Sequence, residues 1–106
     1  MNTVDTYKKL HEVVTMLDER FPDGTNIFQR VSRLAEETGE LASAVNHIEG
    51  MGIKTQKYGQ PDKEHLVKEI QDVMRAALGI AHYYRVEAEL DQSIHEAHER
   101  LIKKTF

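Results

Sequence analysis

Two groups of acidic side chains stand out in this chain, because their spacing suits metal chemistry. Glu36, Glu37 and Glu40 form the first group, and Glu69 and Asp72 form the second. At about 100° per residue, each group lies along the flank of an amphipathic helix. If the two helices pack antiparallel, the carboxylates converge and repel one another unless some stay protonated or a cation neutralises them. Oxygen ligands suit Mg²⁺, with Mn²⁺ as the alternative, and carboxylate-held Mg²⁺ commonly acts on phosphates.

The alternative interpretation is a solvated acidic surface, since Glu is a strong helix former that is rarely buried. Against it, Glu36 and Glu40 form a like-charge pair at i, i+4. The two acids of the second group repeat the arrangement at i, i+3, and such pairs destabilise an isolated helix by about 0.2–0.5 kcal/mol. Lys68 and Arg33 are not expected to be i, i+4 partners on the clustered face. The spacing alone leaves both interpretations open.

Helices are the elements that must position these acids. Apolar residues recur at helical spacing in four segments, at roughly residues 3–20, from a cap at 25 or 26 to about 47–49, at 63–85 and at 91–104. Asp62 can cap the third segment and Asp91 the fourth. No Gly or Pro separates these last two segments, so their boundary is the least defined. With no strand pattern in the sequence, we expect an all-α, four-helix-type bundle with antiparallel motif helices.

The bulk composition favours a single helical domain spanning residues 1–106, with a modest core. A net charge of −4 gives little support to nucleic-acid binding. The absence of cysteine excludes disulfides and thiolate chemistry and is compatible with a reducing cytosol. No signal-peptide pattern and no apolar run of about 20 residues occur, so we expect a cytoplasmic protein without a membrane segment. The thin apolar faces indicate that oligomerisation, as a homodimer or homotetramer, completes the bundle.

The two acidic motifs together resemble a known family. Glu-Glu-x-x-Glu followed by Glu-x-x-Asp is similar to the signature of the all-α nucleotide pyrophosphohydrolases of the MazG type, which include dimeric dUTPases and phosphoribosyl-ATP pyrophosphohydrolases. Segment 33–41, with Gly39 before the last Glu, resembles the first motif helix. Segment 68–73 resembles the second, with Gln71 where the family often has Gly or Glu. The resemblance covers roughly residues 5–85.

The resemblance implies a Mg²⁺-dependent hydrolase that cuts a nucleoside triphosphate between its α and β phosphates and releases pyrophosphate. The implied metal ligands are Glu37, Glu40, Glu69 and Asp72. A cation held there would neutralise the triphosphate and polarise the bond that breaks. Glu36 is the candidate for orienting or deprotonating the attacking water, and the sequence leaves open whether Glu36 or Glu37 has this role.

Basic residues outside the motifs are candidates for phosphate binding. Lys54 and Lys57 lie in the connection between the two motif helices, where they could reach phosphate oxygens. The alternative is that they are ordinary loop lysines. Family members often carry Asn, Lys and Arg in the C-terminal helix, where this chain offers Arg100, Lys103 and Lys104.

Other functions stay open on this reasoning. On the same scaffold, the specificity could be that of a dUTPase or be directed at phosphoribosyl-ATP. From another class, a catalytically silent helical interaction module would keep an acidic surface, dimerise through its apolar stripes and be indifferent to Mg²⁺. A third candidate is a transition-metal regulator that uses His95 and His98. No third ligand stands at a recognisable spacing, so a solvated patch is the alternative there.

Overall fold

The computed structural model describes residues 3–50 and 59–104. Within these ranges the chain forms four α-helices and no strand: α1 (Thr3–Arg20), α2 (Ile27–Ile48), α3 (Lys63–Tyr84) and α4 (Glu87–Lys103). The all-α prediction is therefore confirmed. The predicted extents of the first three helices agree with the observed ones to within a residue or two. None of the described helices is long and apolar enough to cross a membrane.

Side-chain caps begin the two helices that carry the acidic motifs. Asn26 precedes α2, and its side-chain oxygen accepts a hydrogen bond from the Gln29 backbone N–H at 3.0 Å. Asp62 precedes α3 and accepts one from the Glu64 N–H at 2.8 Å. Each cap satisfies a backbone donor that the first turn of a helix leaves unpaired. Both caps were among the sequence predictions, which are confirmed.

The junction between α3 and α4 differs from the prediction. Helix α3 ends at Tyr84 and is capped by Arg85, which adopts a left-handed conformation with φ 56°. The Val86 N–H closes the turn on the Ala81 carbonyl at 3.0 Å. Helix α4 then begins at Glu87, with no side-chain cap. The predicted start at Asp91 is wrong. Asp91 lies inside α4, where it accepts a hydrogen bond from the Tyr7 hydroxyl at 2.7 Å.

Helices α2 and α3 form the most extensive contact among the four described helices. They run antiparallel, since Arg30 near the start of α2 donates to the Gly79 carbonyl near the end of α3 at 3.0 Å. Small side chains are buried along the pair, among them Ala44 and Ala76, and these let the two helices approach closely. Helix α1 packs on α3, and α4 contacts the end of α3.

The core of the described chain is thin. Among the residues whose burial is described, the buried apolar ones are Val14, Ala44, Ala76, Leu78 and Ala81, and no large side chain is fully buried. Large apolar side chains remain on the surface, with Phe28 at 82% and Val67 at 61% exposure. The radius of gyration is 16.6 Å, against about 13 Å for a compact domain of about 100 residues. These values describe a single chain, so completion of the bundle by oligomerisation stays a prediction.

Candidate metal centre

Three carboxylates converge between α2 and α3. One oxygen of each of Glu37, Glu40 and Glu69 lies within 4.8 Å of the other two. The convergence follows from the local structure, because Glu37 and Glu40 lie one helical turn apart on the face of α2 that meets α3. Within residues 3–50 and 59–104, this is the one set of three or more side chains with the spacing of metal ligands.

Burial leaves part of this cluster without hydrogen bonds. Glu69 is only 3% exposed, and its Oε2 atom has no hydrogen-bond partner among the described residues. The Oε2 atom of Glu37 is likewise buried and unpartnered. At the solvent side, His65 Nε2 lies 3.6 Å from the other oxygen of Glu69. A buried carboxylate oxygen without a partner is costly, and oxygen donors in this arrangement fit a hard divalent cation.

The electrostatics of the cluster also favour a bound cation. Burial, followed by the charges of Asp72, Glu40 and Glu69, raises the pKa of Glu37, and Arg75 offsets only part of this effect. Glu37 therefore holds a proton more tightly than an isolated carboxyl group when no cation neutralises its neighbours. A divalent cation would supply the missing positive charge.

Asp72 lies beside the three carboxylates, but its oxygens have other partners. It is 8% exposed; Lys68 Nζ donates to Oδ2 at 3.0 Å and Arg75 Nη2 to Oδ1 at 2.9 Å. The first contact raises the pKa of Lys68. The expectation that Lys68 has no i, i+4 partner in the acidic groups is therefore wrong.

The other predicted site residues that the structure describes are not members of the three-carboxylate cluster. Glu36 is exposed, because neighbouring residues on a helix point about 100° apart. Lys54 and Lys57 fall outside the described residues. His95 and His98 are exposed on α4, and neither belongs to a three-ligand group in the part of the chain that is described.

Sequence reasoning missed the contacts that hold the site in register. Arg30 Nε donates to the Thr25 carbonyl at 2.6 Å, and its Nη2 atom donates to Asp18 at 2.8 Å. Together with the bond to Gly79, this one guanidinium ties α1, the start of α2 and the end of α3. The signal in the sequence is faint, because each partner is distant along the chain or belongs to the backbone. The i, i+3 spacing of Arg75 and Asp72 was the more visible clue.

A partly buried carboxylate cluster between antiparallel helices defines a candidate divalent-metal site in an all-α protein. Residues 29–105 match the family described as the MazG nucleotide pyrophosphohydrolase domain, and the chain belongs to this family. The family is a hydrolase family that acts on nucleotides and typically uses a divalent metal. The matched residues include both acidic motifs.

One curated relative is the uncharacterized protein YpjD of Bacillus subtilis (strain 168). The two sequences are 39% identical over 74 residues, which cover 70% of this chain and 59% of YpjD. This chain therefore matches less than two thirds of that relative's length. No solved structure matches the chain.

Proposed function

We propose that this protein is a Mg²⁺-dependent nucleoside triphosphate pyrophosphohydrolase. It converts a (d)NTP to the (d)NMP and pyrophosphate, as housekeeping of the cytoplasmic nucleotide pool, and residues 1–106 act as one domain. The observation that carries the proposal is the set of three converging carboxylates, two of them with buried, unpartnered oxygens, in a chain of this family.

In this proposal Glu37, Glu40 and Glu69 hold Mg²⁺, with Mn²⁺ as a substitute. Asp72 is the fourth ligand, and its oxygens reach a cation by giving up part of their contact with Lys68 or Arg75. The bound cation would neutralise phosphate charge and polarise the α–β phosphoanhydride bond.

The remaining roles follow from position and charge. Glu36 makes no hydrogen bond or ion pair with any described residue, so its carboxylate is available to orient or deprotonate water. It adjoins Glu37 on α2, which keeps it close to the carboxylates that would hold the cation. Lys54 and Lys57, which we propose to bind phosphate oxygens, belong to the connection between the motif helices.

We also propose that the protein works as a homodimer or homotetramer. Two observations support this proposal: the core is thin, and large apolar side chains on α2 and α3 are exposed, including Phe28, Val67 and Met74. A second copy covering these side chains would bury apolar area that the single chain exposes to water.

The test is pyrophosphate release from a panel of NTPs and dNTPs, with Mg²⁺, with Mn²⁺ and with a chelator. We expect metal-dependent release of pyrophosphate rather than phosphate, and the panel ranks the bases. Glu69→Gln should abolish release, while Glu64→Gln, an exposed change on the same helix, should retain it. A folded protein that releases nothing from any substrate would refute the proposal and favour the silent module.

A further inference from the structure

A cleft of about 310 Å³ lies beside the metal centre. It is bounded by the end of α1, the connection between α1 and α2, and the adjoining faces of α2 and α3. Two arginines line it, Arg33 from α2 and Arg75 from α3. A second, neighbouring cavity shares both arginines with this cleft and is also lined by Asp72.

Both arginines lie on the same side of the carboxylates, towards the start of α2 and the end of α3. Arg33 lies one turn before Glu37 on α2, and Arg75 lies about one turn after Asp72 on α3. Because the two helices run antiparallel, both steps lead towards the same end of the pair. One helical turn is about 5.4 Å, which is a distance that linked phosphate groups can span.

Neither of the two acids that line the cleft is paired with its arginines. Arg33 has no hydrogen bond or ion pair within residues 3–50 and 59–104, and its guanidinium lies against Gly24, where a Cβ would be 3.4 Å from Nη2. Of the acids that line the cleft, Asp18 is already paired with Arg30 at 2.8 Å. Asp23 is exposed on the connecting segment. The positive charge of Arg33 is therefore left without a partner beside the metal centre.

Arg75 can contact Asp72 and an anion in the cleft at the same time. One of its guanidinium nitrogens, Nη2, contacts Asp72 at 2.9 Å. A guanidinium carries five N–H donors in a fixed fork, so Arg75 keeps donors for a second anion while it holds Asp72 in place.

We propose that this arginine cleft is the subsite for the phosphate groups of the nucleotide that extend away from the metal centre. The inference rests on the proposed function and deepens it, because it assigns Arg33 and Arg75 to the pyrophosphate portion of the substrate. Planar guanidinium groups match phosphate oxygens with paired hydrogen bonds. The two arginines come from different helices, so they approach such a group from different directions.

The probe is inorganic pyrophosphate, titrated calorimetrically into the full chain with Mg²⁺ and with a chelator. Arg33→Gln should weaken binding about tenfold, the usual effect of losing a hydrogen bond to a charged group. Arg33→Lys should restore part of the loss, since lysine keeps the charge without the fork. Arg20→Gln is the matched control: it removes an arginine near the cleft that does not line it, and binding should stay unchanged.

Arg75→Gln should also weaken pyrophosphate binding, but this change removes a contact to Asp72 as well. Arg33→Gln leaves both contacts of Asp72 intact and therefore decides the case. Binding by Arg33→Gln that is as tight as that of the unchanged protein, or no pyrophosphate binding by the unchanged protein at millimolar concentration, overturns the inference.

The two proposals fail in different ways. If no nucleotide is hydrolysed but pyrophosphate binding depends on Arg33, the catalytic proposal falls and the anion subsite stands. If pyrophosphate is released normally while the arginine variants bind it normally, the subsite falls and the catalytic proposal stands.

Discussion

Replacing Glu37 by Gln tests the electrostatic reasoning directly. Glu37 lies within 4.8 Å of two other carboxylates, carries a buried unpartnered oxygen and has a raised pKa. Gln has nearly the same shape, removes one negative charge and can donate a hydrogen bond to a neighbouring carboxylate. We expect the metal-free variant to be more stable than the unchanged protein by about 1 kcal/mol. For a domain of this size that raises Tm by roughly 4 °C or more.

Mg²⁺ should reverse that order. At about 100 times its Kd, a ligand that binds only the folded state adds about 2.7 kcal/mol, which raises Tm on the order of 10 °C. The unchanged protein should show this gain, and Glu37→Gln should show little of it. Thermal unfolding followed by circular dichroism, with chelator and with Mg²⁺, measures both effects.

The pH dependence has a definite sign. The folded protein holds the Glu37 proton more tightly than the unfolded chain, whose ordinary pKa is 4.5. The contribution of this group is therefore fully present below that pH and is lost as pH rises through the raised pKa. The metal-free protein should lose stability over this range, and Glu37→Gln should not show that loss. With Mg²⁺ the trend opposes this, because protons compete with the cation.

Glu36→Gln is the matched control, since it changes an exposed neighbour outside the cluster. It should alter neither the metal-free stability nor the gain from Mg²⁺, although we expect it to slow turnover. The reasoning is refuted if Glu37→Gln destabilises the metal-free protein, or if it keeps the full Mg²⁺ response.

Three further changes test the contacts around the site. Asp72→Asn should destabilise the metal-free protein by about 1 kcal/mol in urea unfolding, because both oxygens of this carboxylate accept a hydrogen bond from a cationic side chain; equal or higher stability would contradict this prediction. Tyr7→Phe should destabilise the protein by about 1 kcal/mol through the lost hydrogen bond to Asp91. In a spectroscopic titration, the tyrosine with a pKa of about 12 should be absent from this variant. Arg30→Met should cost about 3 kcal/mol by breaking three hydrogen bonds, and a loss below that of Tyr7→Phe would argue against its role.

The elements were largely predictable because their signals are local. Apolar periodicity predicted the extents of the first three helices, and Asn26 and Asp62 indicated where two of them begin. The start of α4 was missed because Arg85 makes the left-handed turn that Gly usually makes. Asp91 looked like a cap, but its partner Tyr7 belongs to α1 and lies far away in sequence.

The site was only partly predictable for a similar reason. Helical spacing was enough to bring Glu37 and Glu40 towards Glu69. Spacing could not predict which acid of each group would be buried without a hydrogen-bond partner, because burial and pairing depend on side-chain rotamers and on nearby cations. Asp72 was expected among the metal ligands. Lys68 and Arg75, which occupy its oxygens, lie at i, i+4 and i, i+3 spacing on the same helix, so these contacts could have been predicted from the sequence.

The thin core has a consequence for how the isolated chain unfolds. The denaturant m-value and the heat-capacity change both scale with the surface that unfolding exposes. A chain that already leaves Phe28 and Val67 in water should therefore unfold over a broad range of urea, with a flat stability curve. A sharp transition whose midpoint rises with protein concentration would instead mean that assembly and folding are one cooperative reaction.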